Sequence, residues 1–418
     1  MGEQNTNSPA HFNSSGNIRV GATSAKLIEA IDHYLSRPSV FKNKEALSIH
    51  YIPDQLYFRD EQILELGHIL APLLRSERSS NALLYGKPGT GKTVVARFVM
   101  RHIVAKASQI GCKVHFCYCN AKLAGTEYRL ILEVARQANV DLPFTGLSVA
   151  EALSRLKASL LATGYRMLLI LDEIDHLVKH HGDHLLYELT RSTSQQFPSG
   201  LFNLVGISND LTFKEWLDPR VLSSLAEEEM VFPPYTVEQL KVILAARAES
   251  AFRSGCLSEG ALNLCAALSG SEHGDARRAV ELLRVAGELA DREQAARVEE
   301  RHVEEALRRI EHDRTTEAIT TLPLHAKLLL AVVVNDRANS TGAIYERYTK
   351  MCQQLGLNPV TRRRASGILS ELDVLGLLSV EVVSYGRYGR TKRVKPNLSV
   401  DMIKNALRED SIIAQLIN

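Results

Sequence analysis

No apolar run in the 418 residues comes near the roughly 20 that a membrane-spanning helix requires, and no basic-then-apolar leader opens the chain, so a soluble intracellular protein is expected. Cysteine is sparse and unpatterned. Cys112, Cys117, Cys119, Cys256, Cys265 and Cys352 are scattered, which fits a reducing compartment where thiols serve as small core residues. Cys117 and Cys119 lie in a strand-like run, with no second pair to build a zinc site. No repeat recurs at a fixed period. Residues 1–23, rich in Asn, Ser and Gly, lack apolar periodicity and are expected to be disordered.

Positive and negative residues nearly cancel overall but are unevenly placed. The net charge is only +2, yet residues 321–418 hold 14 Lys and Arg against 8 Asp and Glu, while the preceding 320 residues hold 36 against 40. A basic C-terminal end points to a polyanion as partner or, failing that, to a solvated face.

From residue 81 short apolar runs ("NALLYG", "VHFCYCNA", "RMLLILDEID", "LFNLVGISND", "EEMVFPP") alternate with amphipathic stretches. That alternation predicts an α/β domain over 24–235, a parallel sheet with helices on both faces. Residues 236–316 read as helices only, a small all-α domain. Residues 317–418 show three helical patterns and then two extended runs, "LLSVEVVS" and "TKRVKPNLSV", around the glycine-bearing "YGRYGR", the pattern of a winged helix-turn-helix.

The chemistry begins at "GKPGTGKT", Gly86 to Thr93, between a strand-like and a helix-like run. Gly86, Gly89 and Gly91, with Lys87, Pro88 and Thr90 between them, let backbone N–H groups fold around phosphate oxygens; Lys92 reaches the terminal phosphates and Thr93 offers a hydroxyl to Mg²⁺. ATP or GTP is the implied ligand. "LLILDEID" places Asp172 and Glu173 at the end of an apolar strand, where Asp172 would hold Mg²⁺ through water and Glu173 would polarise the attacking water. Asn209, ending "LVGISND", would orient that water. Arg277 of "GDARRAV" could reach the γ-phosphate, and Arg220 of "LDPRVLSSL" a neighbouring subunit's nucleotide as an arginine finger. The histidines His176, His180, His181 and His184 have helical spacing, but nucleotide chemistry gives them no metal to hold.

At the C-terminal end, "TRRRASGILSELDVLGLL" puts Arg362, Arg363 and Arg364 at a helix start, where cations oppose the helix dipole and an external anion accounts for them. Thr361 can cap that helix and meet a phosphate. The hairpin carries Arg387, Tyr388, Arg390, Lys392 and Arg393, a basic wing suited to phosphates or a minor groove.

The succession "GKPGTGKT", "DEID", "SND", "DPRVLSS", "GDARRA" and winged helix resembles the AAA+ ATPases, and within them the archaeal replication initiators related to origin recognition complex subunits and the helicase loader. The stretches "YIPDQLYFRDEQI", "CNAKLAGTEYRLILEVARQ" and "VFPPYTVEQL" look like that family too. The resemblance implies a AAA+ sheet domain, an all-α lid and a winged-helix DNA-binding domain. It places Tyr57, Arg59 and Tyr235 at the nucleotide, which favours ATP, and makes residues near 120–147 an initiator-specific insertion that reaches duplex DNA through Thr126, Tyr128 and Arg129. Relatives often carry a second arginine four positions after the one matching Arg220; here it is Ser224, which weakens a role in trans. The implied function is an ATP-dependent initiator in the cytoplasm, associated with the nucleoid. It would bind duplex origin DNA and other initiator subunits, recruit or load the replicative helicase, and hydrolyse ATP slowly as a switch. The alternatives are a AAA+ loader or remodeller whose winged helix contacts protein, and a transcriptional regulator with a vestigial nucleotide site. The presence of Lys92, Asp172, Glu173 and Asn209 argues against the latter.

Overall fold

The computed structural model describes residues 38–191, 200–271, 274–336, 340–384 and 390–416. The segment 1–23, Arg387, Tyr388 and the side chain of Arg390 lie outside them. Two compact units are present, one running to Val303 and one from Glu304.

The first unit runs α1 (Asp60–Leu70), β1 (Ala82–Tyr85), α2 (Lys92–Ile110), β2 (Val114–Asn120), the single turn α3 (Ala121–Ala124), α4 (Glu127–Gln137), α5 (Val149–Thr163), β3 (Arg166–Asp172), α6 (Ile174–His181), α7 (His184–Thr190), β4 (Phe202–Ser208), α8 (Pro219–Leu225) and β5 (Glu228–Val231). It continues through α9 (Val237–Ala251), α10 (Glu259–Ser271), α11 (Ala276–Arg292) and into α12 (Glu300–Thr320). The strands form one parallel sheet in the order β2-β3-β4-β1-β5. Side-chain alternation divides its apolar residues between two cores. Leu83, Leu169, Leu171 and Leu204 face Leu130, Leu153, Leu156 and Leu186, whereas Leu84, Ile170, Val205 and Ile207 face Leu66, Leu70, Val95 and Val99. With both faces covered, β3 and β4 are buried along their whole length.

Two expected strands are shorter than their apolar runs. β3 stops at Asp172 because Glu173 turns left-handed (φ 52) and Ile174 begins a helix. β5 stops at Val231 ahead of Pro233, which has no N–H for a ladder. Helix α2 starts beyond left-handed Gly91 and stops at left-handed Gly111, as glycine permits. Thr236 and Gln239 form a capping box at α9.

The second unit contains α13 (Leu324–Asp336), α14 (Thr341–Gln354), α15 (Arg362–Val374), the antiparallel hairpin β6 (Leu378–Ser384) and β7 (Arg390–Pro396), and α16 (Val400–Arg408). Leu328 to Val333 are buried on every side of α13, which makes it the axis of this core. Here too the last extended run is shorter than expected: β7 ends at Pro396, and Ser399 caps a helix by accepting from the Met402 N–H. No single helix among the described residues is long and apolar enough to cross a membrane.

Candidate functional site

Phosphate loop, acidic pair and Asn209 all leave the C-terminal ends of their strands, β1, β3 and β4, which the parallel order brings side by side. The loop is held by its own side chains. Lys92 Nζ donates to the carbonyls of Gly86 (2.6 Å) and Lys87 (2.8 Å), and Thr90 Oγ1 donates to Lys87 O at 2.9 Å. Lys92 is only 4% exposed. Burial pulls its ammonium down to about 8, opposed by the attraction of Asp172 and reinforced by the nearby charge of Arg277. Arg277, one residue into α11, therefore shares the site with Lys92.

Two glycines are fixed by what stands over them. A Cβ on Gly89 (φ 74) would lie 1.7 Å from Asp275 Oδ1, and one on Gly91 (φ 94) would lie 2.7 Å from the Tyr235 hydroxyl. Asp275 caps α11 by accepting the Arg278 N–H at 3.1 Å, and the Ala276 N–H donates to Gly89 O at 3.1 Å. The lid helix thus begins on the phosphate loop itself.

Arg59 is a brace that joins three backbone segments. Its Nε donates to Thr90 O (3.0 Å), Nη1 to Phe58 O (3.0 Å) and Nη2 to Pro233 O (2.6 Å), and its guanidinium lies 4.0 Å from the centre of the Tyr235 ring. Beside it Phe58 adopts φ 61, a conformation that an aromatic residue rarely holds. Tyr57 donates to Gln55 Oε1 at 3.4 Å.

Asp172 collects donors. Thr93 Oγ1 and the Tyr118 hydroxyl each donate to Oδ2 at 2.8 Å, and the Glu173 N–H donates to Oδ1 at 2.9 Å. A hydroxyl and a carboxylate oxygen side by side are the hard oxygen donors that Mg²⁺ takes, so the residues fit that ion. Glu173 pairs with Lys122 at 3.9 Å. The Asn209 N–H donates to Asp175 Oδ1 at 3.3 Å, tying the end of β4 to the first turn of α6, which follows β3. Arg220 stands apart: its guanidinium, 68% exposed, forks onto Asp218 (Nε to Oδ1 3.0 Å, Nη2 to Oδ2 3.1 Å) and lies 5.8 Å from the Tyr187 ring.

The wing and insertion residues divide by what they already touch. Thr361 caps α15 by accepting the Arg364 N–H at 3.3 Å, Arg364 Nη1 donates along the helix to Glu371 at 2.7 Å, and Lys392 Nζ donates to Ser370 Oγ at 2.8 Å. Arg362 and Arg363 are exposed with no ion-pair partner among the described residues. Arg393 stands on β7 opposite Glu381. In the insertion, Thr126 caps α4, the Tyr128 hydroxyl donates to Pro143 O at 2.6 Å, and Arg129 follows in the first turn. His181 Nε2 meets Gly125 O at 3.0 Å, and the His176 and His180 rings meet at a 44° tilt with centroids 4.4 Å apart.

Sequence reasoning missed Tyr118, Asp175 and Asp275. Tyr118 reaches Asp172 only because β2 pairs with β3, with Asn120 opposite Asp172, and strand order is not written in local pattern. Asp275 was within reach, since a capping aspartate at a lid helix that must meet the loop is a readable signal.

A parallel sheet in this order, with a complete phosphate loop, an acidic pair after β3 and a helical lid resting on the loop, defines a P-loop ATPase of the AAA+ class, joined in one chain to a winged-helix unit. Residues 75–207 match the AAA domain family, 241–308 the Cdc6 AAA+ ATPase-type lid domain and 317–406 the CDC6 C-terminal winged helix domain. The chain is 46% identical over 388 residues to the ORC1-type DNA replication protein of Thermococcus onnurineus, covering 91% of this chain and 93% of that one. It is 48% identical over 383 residues to the ORC1-type DNA replication protein 1 of Aeropyrum pernix, covering 90% and 97%. The solved structure of the Aeropyrum pernix ORC1 protein in complex with DNA superposes with a TM-score of 0.81 at 48% identity, over 91% of this chain and 100% of that one. The chain belongs to the ORC1-type DNA replication proteins of the origin recognition and Cdc6 family.

The low Lys92 value sets a pH dependence. Phosphates stabilise the charged ammonium, so binding takes up a proton where the free protein has lost one. ATP affinity is expected to be nearly full at about pH 7 and about tenfold lower at about pH 9. Titration calorimetry in buffers of different ionisation enthalpy reads this as proton uptake on binding; none at about pH 8.5 would refute it.

Proposed function

We propose that this chain is a replication initiator that binds duplex origin DNA and uses ATP as the mark of its active state, hydrolysing it slowly and helping to recruit or load the replicative helicase in the cytoplasm at the nucleoid. The observation that carries the reading is the coexistence of a complete phosphate-loop site and a basic-fronted winged helix in a chain that follows, over 91% of its length, a relative solved in complex with DNA. The functional parts are the ATPase domain over 24–235 with its insertion near 120–147, the lid over 236–316 and the winged helix over 317–418.

In this reading Gly86, Lys87, Pro88, Gly89, Thr90 and Gly91 wrap the phosphates with backbone N–H groups, and Lys92 meets the terminal ones. Tyr57, Arg59 and Tyr235 border the base. Thr93 and Asp172 hold Mg²⁺, which when bound neutralises developing phosphate charge. Glu173 receives a proton from the attacking water, Asn209 fixes that water's orientation, and Arg277 carries the lid's response to the γ-phosphate. Arg220 must leave Asp218 before it can act on a neighbour's nucleotide, so single chains hydrolyse ATP slowly. DNA is met by Thr361, Arg362, Arg363 and Arg364, by the wing residues Arg387, Tyr388, Arg390, Lys392 and Arg393, and by the insertion residues Thr126, Tyr128 and Arg129.

The test is binding to duplex fragments of the source genome and to random duplex, with salt varied, with and without ATP and Mg²⁺. Saturable preference for particular sites, and log affinity falling linearly with log salt, are expected. Negligible or sequence-blind binding would instead favour a loader whose winged helix contacts protein.

A further inference from the structure

We propose that Tyr118 is a positioning residue of the metal–nucleotide site: its hydroxyl fixes the Asp172 carboxylate so that one acceptor position remains for a metal-bound water. The inference rests on the reading of this site as one for ATP with Mg²⁺.

Asp172 has few acceptor positions to spare. A carboxylate has about four lone-pair positions. Thr93 Oγ1 and the Tyr118 hydroxyl, each at 2.8 Å, fill both positions on Oδ2, and the Glu173 N–H at 2.9 Å takes one on Oδ1. One position on Oδ1 is left. The two hydroxyls differ in what else they can do. Thr93 can offer a lone pair to a metal while its proton stays on Asp172, whereas Tyr118 comes from a strand and has no place in the phosphate loop. Its contribution is orientation.

Tyr118 is itself held from three directions. β2 is an edge strand, so its outer backbone has no ladder partner. At Tyr118 the side-chain amide of Gln137 supplies both missing bonds: the Tyr118 N–H donates to Gln137 Oε1 (3.1 Å) and Gln137 Nε2 donates to Tyr118 O (3.0 Å). The Arg97 guanidinium, from the helix that carries Lys92 and Thr93, lies 5.1 Å from the centre of the tyrosine ring. Tyr118 is half-buried, and a tyrosine so placed needs only some partner for its hydroxyl. This one is clamped front and back and directed at the acidic residue of the site.

Outer-shell residues of this kind typically change metal affinity by about 10- to 100-fold when removed. Tyr118→Phe keeps the ring and its contact with Arg97 and deletes only the hydroxyl. The measurement is the affinity for a fluorescent ATP analogue in EDTA and in excess Mg²⁺, for wild type and variant. The ratio of the two affinities is the gain due to the metal. The proposal expects affinity in EDTA to match wild type within about twofold, which also certifies the fold, and the metal-dependent gain to drop about tenfold or more. In an Asp172→Asn background, deleting the hydroxyl should change the gain by less than about twofold, because Tyr118 acts through that carboxylate. An unchanged gain in Tyr118→Phe, or an equal loss with and without Mg²⁺, overturns the proposal. If wild type itself binds ATP no better with Mg²⁺, the ATP–Mg²⁺ reading of the site falls, and the Tyr118 assignment with it.

Discussion

Lys92→Met is expected to lower ATP affinity by about 100-fold or more while leaving the free protein at least as stable as wild type. The two effects come from one fact. Lys92 is buried, its ammonium is held at about 8, and two of its three donors go to the carbonyls of Gly86 and Lys87. The unfolded chain keeps its lysine near 10.5. The fold therefore holds this charge at a cost below the unfolded value, and the free protein gains stability as pH rises from about 8 towards that value. Methionine removes the desolvated charge and nearly fills its volume. In the free protein the relieved desolvation offsets the loss of the two bonds to Gly86 O and Lys87 O. The net cost appears when phosphates arrive, since each charge-assisted hydrogen bond is worth about 1.5–3 kcal/mol and every 1.4 kcal/mol is about tenfold in affinity. Thermal unfolding with and without ATP checks both halves. A variant that is destabilised when free, or that retains ATP-dependent stabilisation, would contradict the placement of Lys92.

How far the site could be read from sequence followed the range of each signal. "GKPGTGKT" carries its meaning within eight residues because loop, strand end and helix start are consecutive in the chain, and the structure has β1, the loop and α2 in that order. The acidic pair was equally local, but the end of β3 was not. Apolarity stops at Leu171 and returns at Ile174 beyond the acidic pair, and the left-handed turn at Glu173 converts strand to helix. Helices α1, α8 and α16 carried no expectation, and the last extended run overlaps α16 only at Val400. Their packing partners come from distant parts of the chain, as when Leu66 and Leu70 of α1 meet Val95 and Val99 of α2. Lys392 shows the same limit from the other side. Its charge placed it on a nucleic-acid surface, while the fold turns its Nζ onto Ser370 of α15, so one basic residue serves first to join wing and helix.

The same distinction between committed and uncommitted cations decides the second large effect, which is expected at Arg363. Three arginines open α15, where the helix dipole disfavours them. Arg364 is neutralised along the helix by Glu371, and the Arg362 Nη2 lies 3.0 Å from the position of a Cβ on Gly342. Arg363 is exposed, with no ion-pair partner among the described residues. Residues at the start of a recognition helix meet base edges, and a bidentate arginine–guanine contact is worth about 1–3 kcal/mol. Arg363→Ala is therefore expected to weaken binding to the preferred duplex by roughly 5- to 150-fold, and binding to random duplex by much less. Arg364→Ala should cost less, because its guanidinium must first leave Glu371. Fluorescence anisotropy on both duplexes over a salt series separates the cases. Equal losses on both, with the salt slope lowered by about 1, would move Arg363 to a phosphate. No loss on either would mean that α15 does not face DNA, and the uncommitted arginines would then mark a surface for an acidic protein.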